Sequence, residues 1–456
     1  MGSDLEGDAP LLVIPPETDA VEVRIGSGSA LSLAAQVVGL GSSFIVGIVV
    51  ARTLGVAGKG ALSVIMQVPG ILLIMLDLGI ATATIRFVSR GELRAGTAAA
   101  NSTLIAIALG LIGAPVVYLF LAGRLAVVPG VPALAVVAAM IVLPVGLLAA
   151  WLSGVSVGTG DLRLPLLYSL TSSSATLLGL VVLVATHNAG LGNIVMVSVA
   201  GTTVGVLVFF IGLRRRIRPF RPSLLAAKMT VGFSAKVYVS NVAGFMLERQ
   251  DVLLLAWLSG ARAVGLYSVA VSFAELAWYI PSALGTAIMA KGGRSDEASG
   301  ADYVSRTTRV ALVIMAATMV VSLVAVPFVI PLVYGREFAP AMYAFFVLLP
   351  GILIDGVARI LWSWETVRGR VYWRAALGAM ALNVALVLVL APKWGPIGTG
   401  LASTLAYGAI GAFIIRRFCL GTGTRLADVL VPHREDVDVI VRTVAQVFRA
   451  AMARFL

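Results

Sequence analysis

Apolar runs of about 20 residues recur along the whole chain and constrain its fold more than any other feature. A run of this length crosses the hydrocarbon core of a bilayer as a helix. Within a bilayer the backbone must satisfy its own hydrogen bonds, which a helix does within one segment. The sequence therefore predicts an all-α, polytopic membrane protein with about twelve spans, at residues 29–51, 62–85, 98–121, 131–153, 164–186, 192–213, 231–257, 265–289, 308–332, 341–364, 372–390 and 396–415.

The composition excludes several other classes of protein. With 59% hydrophobic and 12% charged residues, the chain is not an ordinary soluble protein. Its single cysteine, Cys419, excludes an intramolecular disulfide and a cysteine metal site. Two distant histidines, His187 and His433, argue against a histidine metal centre, so we expect no metal and no cofactor. The net charge of +12 lies in the links between spans, which favours membrane topology over nucleic-acid binding.

The distribution of Lys and Arg among the links predicts the orientation. With the N-terminus inside, the inner links hold 17 Lys and Arg residues and the outer links hold 6. Because cytoplasmic loops are enriched in these residues, both termini are expected in the cytoplasm and the protein in the cell membrane. Residues 1–28 are acidic and contain three prolines, so they predict a disordered tail rather than a signal peptide.

The chain divides into two similar halves at a basic link. Residues 214–230 contain five arginines and one lysine, and they separate bundles predicted at 29–213 and 231–418. ARTLGVAGKGALSV (51–64) aligns without gaps with AWLSGARAVGLYSV (256–269), at a shift of 205 residues. Both segments lie at the first outer hairpin of their half, which indicates a duplicated six-span unit. An even number of spans places the pseudo-two-fold axis along the membrane normal.

The C-terminal tail, 419–456, returns to a helical pattern after a polar stretch. Apolar residues recur at three- and four-residue steps from Val437 to Phe455, with arginines among them. The pattern predicts an amphipathic helix, lying either on the cytoplasmic leaflet or against the protein's own inner loops.

The seventh span carries a polar stripe at membrane depth. On a helix, Lys236, Ser240, Asn241, Gly244, Glu248 and Asp251 fall within an arc of about 140°. Charges at this depth are costly, so the stripe is expected to face protein or a water-filled cavity. Arg249 and Gln250 point elsewhere, toward a neighbouring helix.

Several segments resemble a known family. VARTLGVAGKG (50–60), LDLGIATATIRFVSR (76–90), RQDVLLLAWLSGARAVGLYSVA (249–270), PLVYGREFAPA (331–341) and GPIGTGLASTLAY (395–407) are similar, in order, to segments of the Wzx-like polysaccharide flippases. These flippases belong to the MOP superfamily, which also contains the MATE drug antiporters. The resemblance covers about residues 29–418.

The resemblance implies both an architecture and a substrate class. The expected fold is two six-helix bundles around a central cavity that opens alternately to either face. The expected substrate is an oligosaccharide repeat unit on a polyprenyl phosphate or diphosphate, moved from the cytoplasmic to the outer leaflet. Polysaccharide polymerases and glycosyltransferases are further expected partners.

Such a substrate requires cations for phosphate and polar or aromatic groups for sugars. The candidate substrate-binding residues are Lys236, Asn241, Glu248, Arg249, Asp251, Glu275, Trp278, Tyr279, Arg359 and Arg52. Several of them have a simpler alternative role. Lys236 could snorkel to the surface, and Trp278 and Tyr279 could be membrane anchors. Asp251 could pair with Arg249 or Arg262, or cap the outer end of the helix. Arg359 could pair with Asp355 four residues earlier, and Arg52 could make a contact within the hairpin.

Four carboxylates are candidates for coupling transport to H⁺ or Na⁺: Glu248, Glu275, Asp77 and Asp355. Burial disfavours a charged carboxylate, so such a group can carry a proton or bind a cation. The alternative for each is a permanent ion pair.

Three other functions compete with the flippase. A MATE-like cation-coupled antiporter of drugs or metabolites would share the fold, although span 1 lacks the carboxylate found in some such antiporters. An enzyme acting on the same lipid would need a sizeable outer loop, whereas the outer loops here have about 5–11 residues, so we expect no enzyme. A scaffold for envelope assembly is the third alternative, which the basic amphipathic tail could serve, whereas the intact charged stripe favours transport.

Overall fold

The computed structural model describes residues 12–14, 21–23, 27–123, 127–279, 281–282, 284–285, 288, 297–370 and 372–436. For residues 12–14, 21–23, 27–37, 40, 233–241 and 297–299 it describes the backbone alone. The predicted amphipathic helix at 437–455 lies outside these residues.

The described chain is almost entirely helical. A short antiparallel pair, β1 (Leu12–Ile14) and β2 (Val21–Val23), precedes the first helix, whereas the sequence predicted no regular structure there. The helices are α1 (Ser27–Asp77), α2 (Ile80–Ser89), α3 (Ala95–Leu121), α4 (Ala133–Gly158), α5 (Arg163–Ala185), α6 (Leu191–Leu213), α7 (Leu224–Ala274), α8 (Glu297–Tyr334), α9 (Ala341–Val367), α10 (Trp373–Thr422) and α11 (Leu426–Leu430). Two 3₁₀ segments, Glu275–Trp278 and Arg336–Phe338, follow α7 and α8.

Three of the helices are too long to cross a membrane once. Helices α1, α7 and α10 have 51, 51 and 50 residues, which would extend about 75 Å if straight. Each contains one glycine with a positive φ, 66° at Gly55, 76° at Gly260 and 52° at Gly395. Only glycine adopts such a φ readily, so these are the points at which the helices bend.

Hydrogen bonds across the bends show that the chain reverses there. Tyr267 donates its hydroxyl to Asp251, 2.5 Å away, although sixteen residues of straight helix would separate them by about 24 Å. Asn383 likewise reaches Ser403 across Gly395, at 3.2 Å.

The helical hairpins account for the number of spans. Among the described residues, nine helices are long and apolar enough to cross a membrane, and three of these cross twice. The prediction of about twelve spans in two six-helix bundles is confirmed. The links predicted between spans 1 and 2, 7 and 8, and 11 and 12 are wrong, because each is a one-residue bend within a helix.

The two bundles, α1–α6 and α7–α10, meet at a symmetric backbone contact. A Cβ added at Gly60 would overlap the carbonyl of Ala261, and one added at Gly265 would overlap the carbonyl of Val56. Gly60 and Val56 correspond to Gly265 and Ala261 at the shift of 205 residues found in the sequence. The contact is therefore reciprocal, as a pseudo-two-fold axis requires.

Aromatic side chains fill the space beside this contact. The rings of Phe44 and Phe273, one from each bundle, lie 5.4 Å apart, and Tyr334 of α8 lies 5.9 Å from Phe44. We call this end of the molecule, which also holds the three glycine bends, the hairpin face. The bundles are closed against each other there.

The opposite end, which we call the linker face, holds the connection between the bundles. Asn101 of α3 exchanges two hydrogen bonds of 2.9 Å with the backbone of Ser223, just before α7. On the same face Arg309 of α8 donates to Asp436 at 2.8 Å, which fastens the segment after α11 to the second bundle.

The outer surface of the helices is apolar. Leu111, Leu178, Phe328 and Leu332 are each between 68% and 74% exposed. Continuous exposed apolar surface on this scale is typical of contact with lipid.

Candidate functional site

A cavity of about 530 Å³ lies in the second bundle, next to α1 of the first bundle. Ile74 of α1 contributes from the first bundle, and the remaining lining comes from α7, α9, α10 and the segment after Trp278. Its apolar and aromatic lining includes Phe245, Leu247, Trp362, Tyr407 and Ile410, and its polar lining includes Glu248, Ser282, Asp355, Arg359 and Ser363.

Arg359 is the central charged residue of the cavity wall. Its Nε donates to Asp355 at 2.7 Å, and its Nη2 donates to Glu248 of α7 at 2.5 Å. The guanidinium also lies over the ring of Trp278, 4.1 Å from the centroid. The pairing of Asp355 with Arg359 follows the predicted spacing of four residues, whereas Glu248 is 111 residues away along the chain.

A second ion pair lies one residue further along α7. Arg249 makes a two-pronged contact with Glu275, with distances of 2.9 and 3.2 Å. Neighbouring residues on a helix point about 100° apart, so Glu248 and Arg249 reach different partners. We refer to Glu248, Arg249, Glu275, Asp355 and Arg359 as the ion cluster.

The ion cluster contains more acids than bases. Three carboxylates face two guanidinium groups, which leaves one negative charge when all are ionised. The side chains of Arg249 and Arg359 are each 29% exposed, so water reaches the cluster only in part. An uncompensated charge in such surroundings favours uptake of a proton or cation.

Asp251 belongs to a separate polar network, away from the cavity. It is 2% exposed and accepts hydrogen bonds from Tyr267 at 2.5 Å and Ser403 at 3.0 Å. Asn383 donates to Ser403, and Gln250 reaches Asn383 and the carbonyl of Met380. The network joins the α7 hairpin to the α10 hairpin; Asp251 is not paired with Arg249 or Arg262 by any salt bridge among the described residues.

Two other predicted residues lie in structural contacts outside the cavity. Arg52 donates to the carbonyls of Val333 and Leu332 at the end of α8, on the hairpin face. Asp77 accepts from the indole of Trp151 at 2.7 Å and from the backbone of Gly79 at 3.2 Å. Asp77 thus caps the break between α1 and α2, where Leu78 and Gly79 have positive φ.

The remaining predicted residues divide between the cavity and its surroundings. Trp278 is buried under Arg359 and packs edge-on against Tyr407, with centroids 5.7 Å apart. Tyr279 is 40% exposed. Lys236 and Asn241 lie in α7, but their side chains are outside the described part of the structure.

The sequence analysis missed Tyr267, Asn383, Ser403 and Tyr407. Tyr267 could have been found by placing the reversal of the chain at Gly260. Asp251 lies nine residues before Gly260 and Tyr267 lies seven residues after it, so a hairpin brings the two to a similar depth. Asn383 and Ser403 lie more than 130 residues from Asp251, and they join its network only through the packing of α10 against α7. Tyr407, also on α10, packs against Trp278. In the part of the chain that the structure describes, no cluster of His, Cys, Asp or Glu could hold a metal ion.

Solved structures with the same fold are found along nearly the whole chain. A lipid II flippase MurJ in an inward closed conformation superposes with a TM-score of 0.68 at 15% identity, covering 94% of this chain and 93% of that one. An inward-facing multidrug resistance MATE transporter of the MOP superfamily gives 0.65 at 16% identity, covering 88% and 97%. A Vibrio cholerae MATE transporter, VcmN, gives 0.56 at 16% identity, covering 88% and 98%. This chain is thus a multi-pass membrane protein with the fold of the MOP superfamily.

A model of the family described as "Polysaccharide biosynthesis protein" matches residues 25–290, more than half of the 456 residues. The chain belongs to this family, and the predicted resemblance is confirmed. No curated protein matches the chain.

Proposed function

We propose that the protein is a flippase that moves an oligosaccharide linked to a polyprenyl phosphate or diphosphate from the cytoplasmic to the outer leaflet, by alternating access. Membership of the polysaccharide biosynthesis family supports the class of substrate. The observation that carries the proposal is Arg359, a guanidinium that lies over the ring of Trp278 in the wall of a cavity with both apolar and polar lining.

Arg359 has the geometry to bind a phosphate. A guanidinium presents paired N–H donors that match phosphate oxygens, and an aromatic ring beneath it holds it in place. Its present partners, Glu248 and Asp355, satisfy the donors that a phosphate would use. The substrate phosphate therefore competes with these carboxylates. The rings of Trp362 and Tyr407, on the same wall, offer apolar faces on which sugars can stack.

Competition for Arg359 provides a route for coupling to H⁺ or Na⁺. When phosphate displaces Glu248, the freed carboxylate is left in a partly dry cavity and takes up a proton or cation. Glu248 is favoured for this role over Asp77, whose two oxygens already accept hydrogen bonds outside the cavity. Asp355, which shares Arg359 with Glu248, and Glu275, which is paired with Arg249, are further candidates.

In the proposed orientation the linker face is cytoplasmic, both termini lie on that side, and the protein resides in the cell membrane. The excess of Lys and Arg in the links on that face supports this orientation. The aromatic contact at the hairpin face then closes the outer side of the cavity. Polysaccharide polymerases or glycosyltransferases of the same pathway are proposed partners.

Native mass spectrometry of the gently purified protein tests the substrate class. We expect a bound polyprenyl phosphate or diphosphate that loses sugar masses on fragmentation. Arg359→Gln should reduce the bound fraction, because the guanidinium is lost. Arg216→Gln is a matched control, since Arg216 makes an ion pair with Asp161 at 3.7 Å outside the cavity. Equal loss in both variants would contradict the role of Arg359.

A cation-coupled antiporter of drugs or metabolites is the second candidate. The fold shared with multidrug MATE transporters and the excess of carboxylates in the ion cluster favour it. Exchange of cationic drugs for H⁺ or Na⁺ in liposomes, together with the absence of a bound polyprenyl lipid, would favour the antiporter and overturn the flippase.

A further inference from the structure

Arginines gather at the linker-face end of the second bundle. We define the arginine patch as Arg370, Arg374, Arg416 and Arg417, all of them exposed. Arg374 lies 21 residues before the bend at Gly395, and Arg417 lies 22 residues after it. The hairpin therefore brings the two ends of α10 to the same depth, beside the loop that follows α9.

Packing around Tyr372 holds the patch together. The ring of Tyr372 lies 5.5 Å from that of Phe413, and its hydroxyl donates to Glu365 at 2.7 Å. A Cβ added at Gly421 would lie 3.0 Å from Nη1 of Arg370, so the loop rests directly on the last turns of α10.

Three of the four arginines of the patch have no acidic partner among the described residues. In the part of the chain that the structure describes, no carboxylate lies within 4.0 Å of the guanidinium of Arg374, Arg416 or Arg417. Glu365 is fully buried and is 3.8 Å from Arg370. The exposed guanidinium groups of Arg374, Arg416 and Arg417 thus have no carboxylate partner among the described residues.

Two of these groups lie against aromatic rings. The guanidinium of Arg417 is 5.4 Å from the centroid of Tyr372 and 5.9 Å from that of Phe413. That of Arg374 is 5.2 Å from the centroid of Trp373. Contact with a ring stabilises a guanidinium without using it as a partner for an anion, and the planar group remains suited to phosphate.

The location of the patch selects a lipid over a soluble anion. It lies at the ends of apolar spans, where the headgroups of a bilayer begin, and aromatic residues favour this depth. Trp373 is 42% exposed and Leu420 is 67% exposed, so apolar surface adjoins the charges. We propose that the arginine patch binds the phosphate headgroup of an anionic phospholipid, with the acyl chains along α10. This site is separate from the cavity and independent of its substrate.

Lipid titration followed by native mass spectrometry tests the proposal on the full chain. The probes are phosphatidylglycerol and phosphatidylcholine with identical chains, added to the protein in detergent. We expect the wild type to bind phosphatidylglycerol in preference. The double variant Arg374→Gln/Arg417→Gln should bind it about 30-fold more weakly, on the basis of ~1 kcal/mol for each arginine near an anionic surface. Binding of phosphatidylcholine should not change.

The control removes the same charge from the other face. Arg336→Gln/Lys393→Gln also eliminates two exposed positive charges, at the hairpin face, and should bind phosphatidylglycerol as the wild type does. Arg374→Lys/Arg417→Lys keeps the charge but loses the planar fork, and we expect an intermediate affinity. An equal loss in the control, unchanged binding in the double variant, or displacement of the lipid by millimolar inorganic phosphate would each overturn the proposal.

Discussion

The ion pair between Glu248 and Arg359 offers a direct test of the cavity's electrostatics. Two unit charges 4 Å apart attract by about 4 kcal/mol at an effective dielectric constant of about 20. The two side chains are 23% and 29% exposed, so solvent screens part of this attraction. We therefore expect a coupling free energy of about 2 kcal/mol between Glu248→Gln and Arg359→Gln, within the range of residues in contact.

A double-mutant cycle measures this coupling. The wild type, both single variants and the double variant are unfolded with SDS in mixed micelles, and their free energies of unfolding are compared. Arg359→Gln alone should be the most destabilising, because it leaves Glu248 and Asp355 together without a cation. Glu248→Gln alone should cost less, because Arg359 keeps Asp355 as its partner.

The pair formed by Asp161 and Arg216 serves as the control cycle. Its side chains are 26% and 50% exposed and its atoms are 3.7 Å apart, so we expect a coupling below about 0.5 kcal/mol. Additive effects of Glu248→Gln and Arg359→Gln would refute the inference that this contact is a strong ion pair in a partly dry cavity.

Three further predictions concern the packing of the fold and its orientation in the membrane. Gly265→Ala should destabilise the protein by about 1–3 kcal/mol, because the added Cβ overlaps the carbonyl of Val56. Gly378→Ala is the control, since the space around its Cβ is open, and it should not destabilise the protein. Thermal unfolding in detergent compares the two variants. Tyr267→Phe removes a hydrogen-bond donor to the buried Asp251 and should lower the free energy of unfolding by about 1–3 kcal/mol in the same assay. Tyr343→Phe is the control, because this residue is 51% exposed, and it should change the free energy of unfolding little. In a Cys419→Ser background, Arg221→Cys should react with an impermeant thiol reagent only from the cytoplasmic side and Glu337→Cys only from outside; the reverse pattern would contradict the proposed orientation.

The sequence predicted those features that depend on local spacing or on duplication. Apolar runs of bilayer length predicted the number of spans, and the offset of 205 residues aligned the two segments that contain Gly60 and Gly265. The pair of Asp355 and Arg359 followed from a spacing of four residues. Each of these signals lies within a single segment or in a direct comparison of two segments.

The sequence did not predict the partners of the polar stripe. A helical arc places Glu248 and Asp251 on one face of α7, but it carries no information on what faces them. Their partners, Arg359 and Ser403, are 111 and 152 residues away and are brought close by the packing of α9 and α10. As a result, Asp251 was grouped with the cavity although a buried network holds it elsewhere.

The reciprocal contact of Gly60 and Gly265 has the geometry of a pivot between the two bundles. Backbone approaches backbone there, close to the hairpin face, and in the proposed flippase one bundle tilts on the other about this contact. Glu248 lies twelve residues before the bend at Gly260, about 18 Å along the arm, and a tilt of about 10° displaces it by about 3 Å. Leu224, at the far end of the same arm, lies about 54 Å from the bend and moves about 9 Å. In the proposed flippase, the long first arm of α7 acts as a lever, which turns a small tilt at the hairpin face into a wider opening at the linker face, where the substrate headgroup enters.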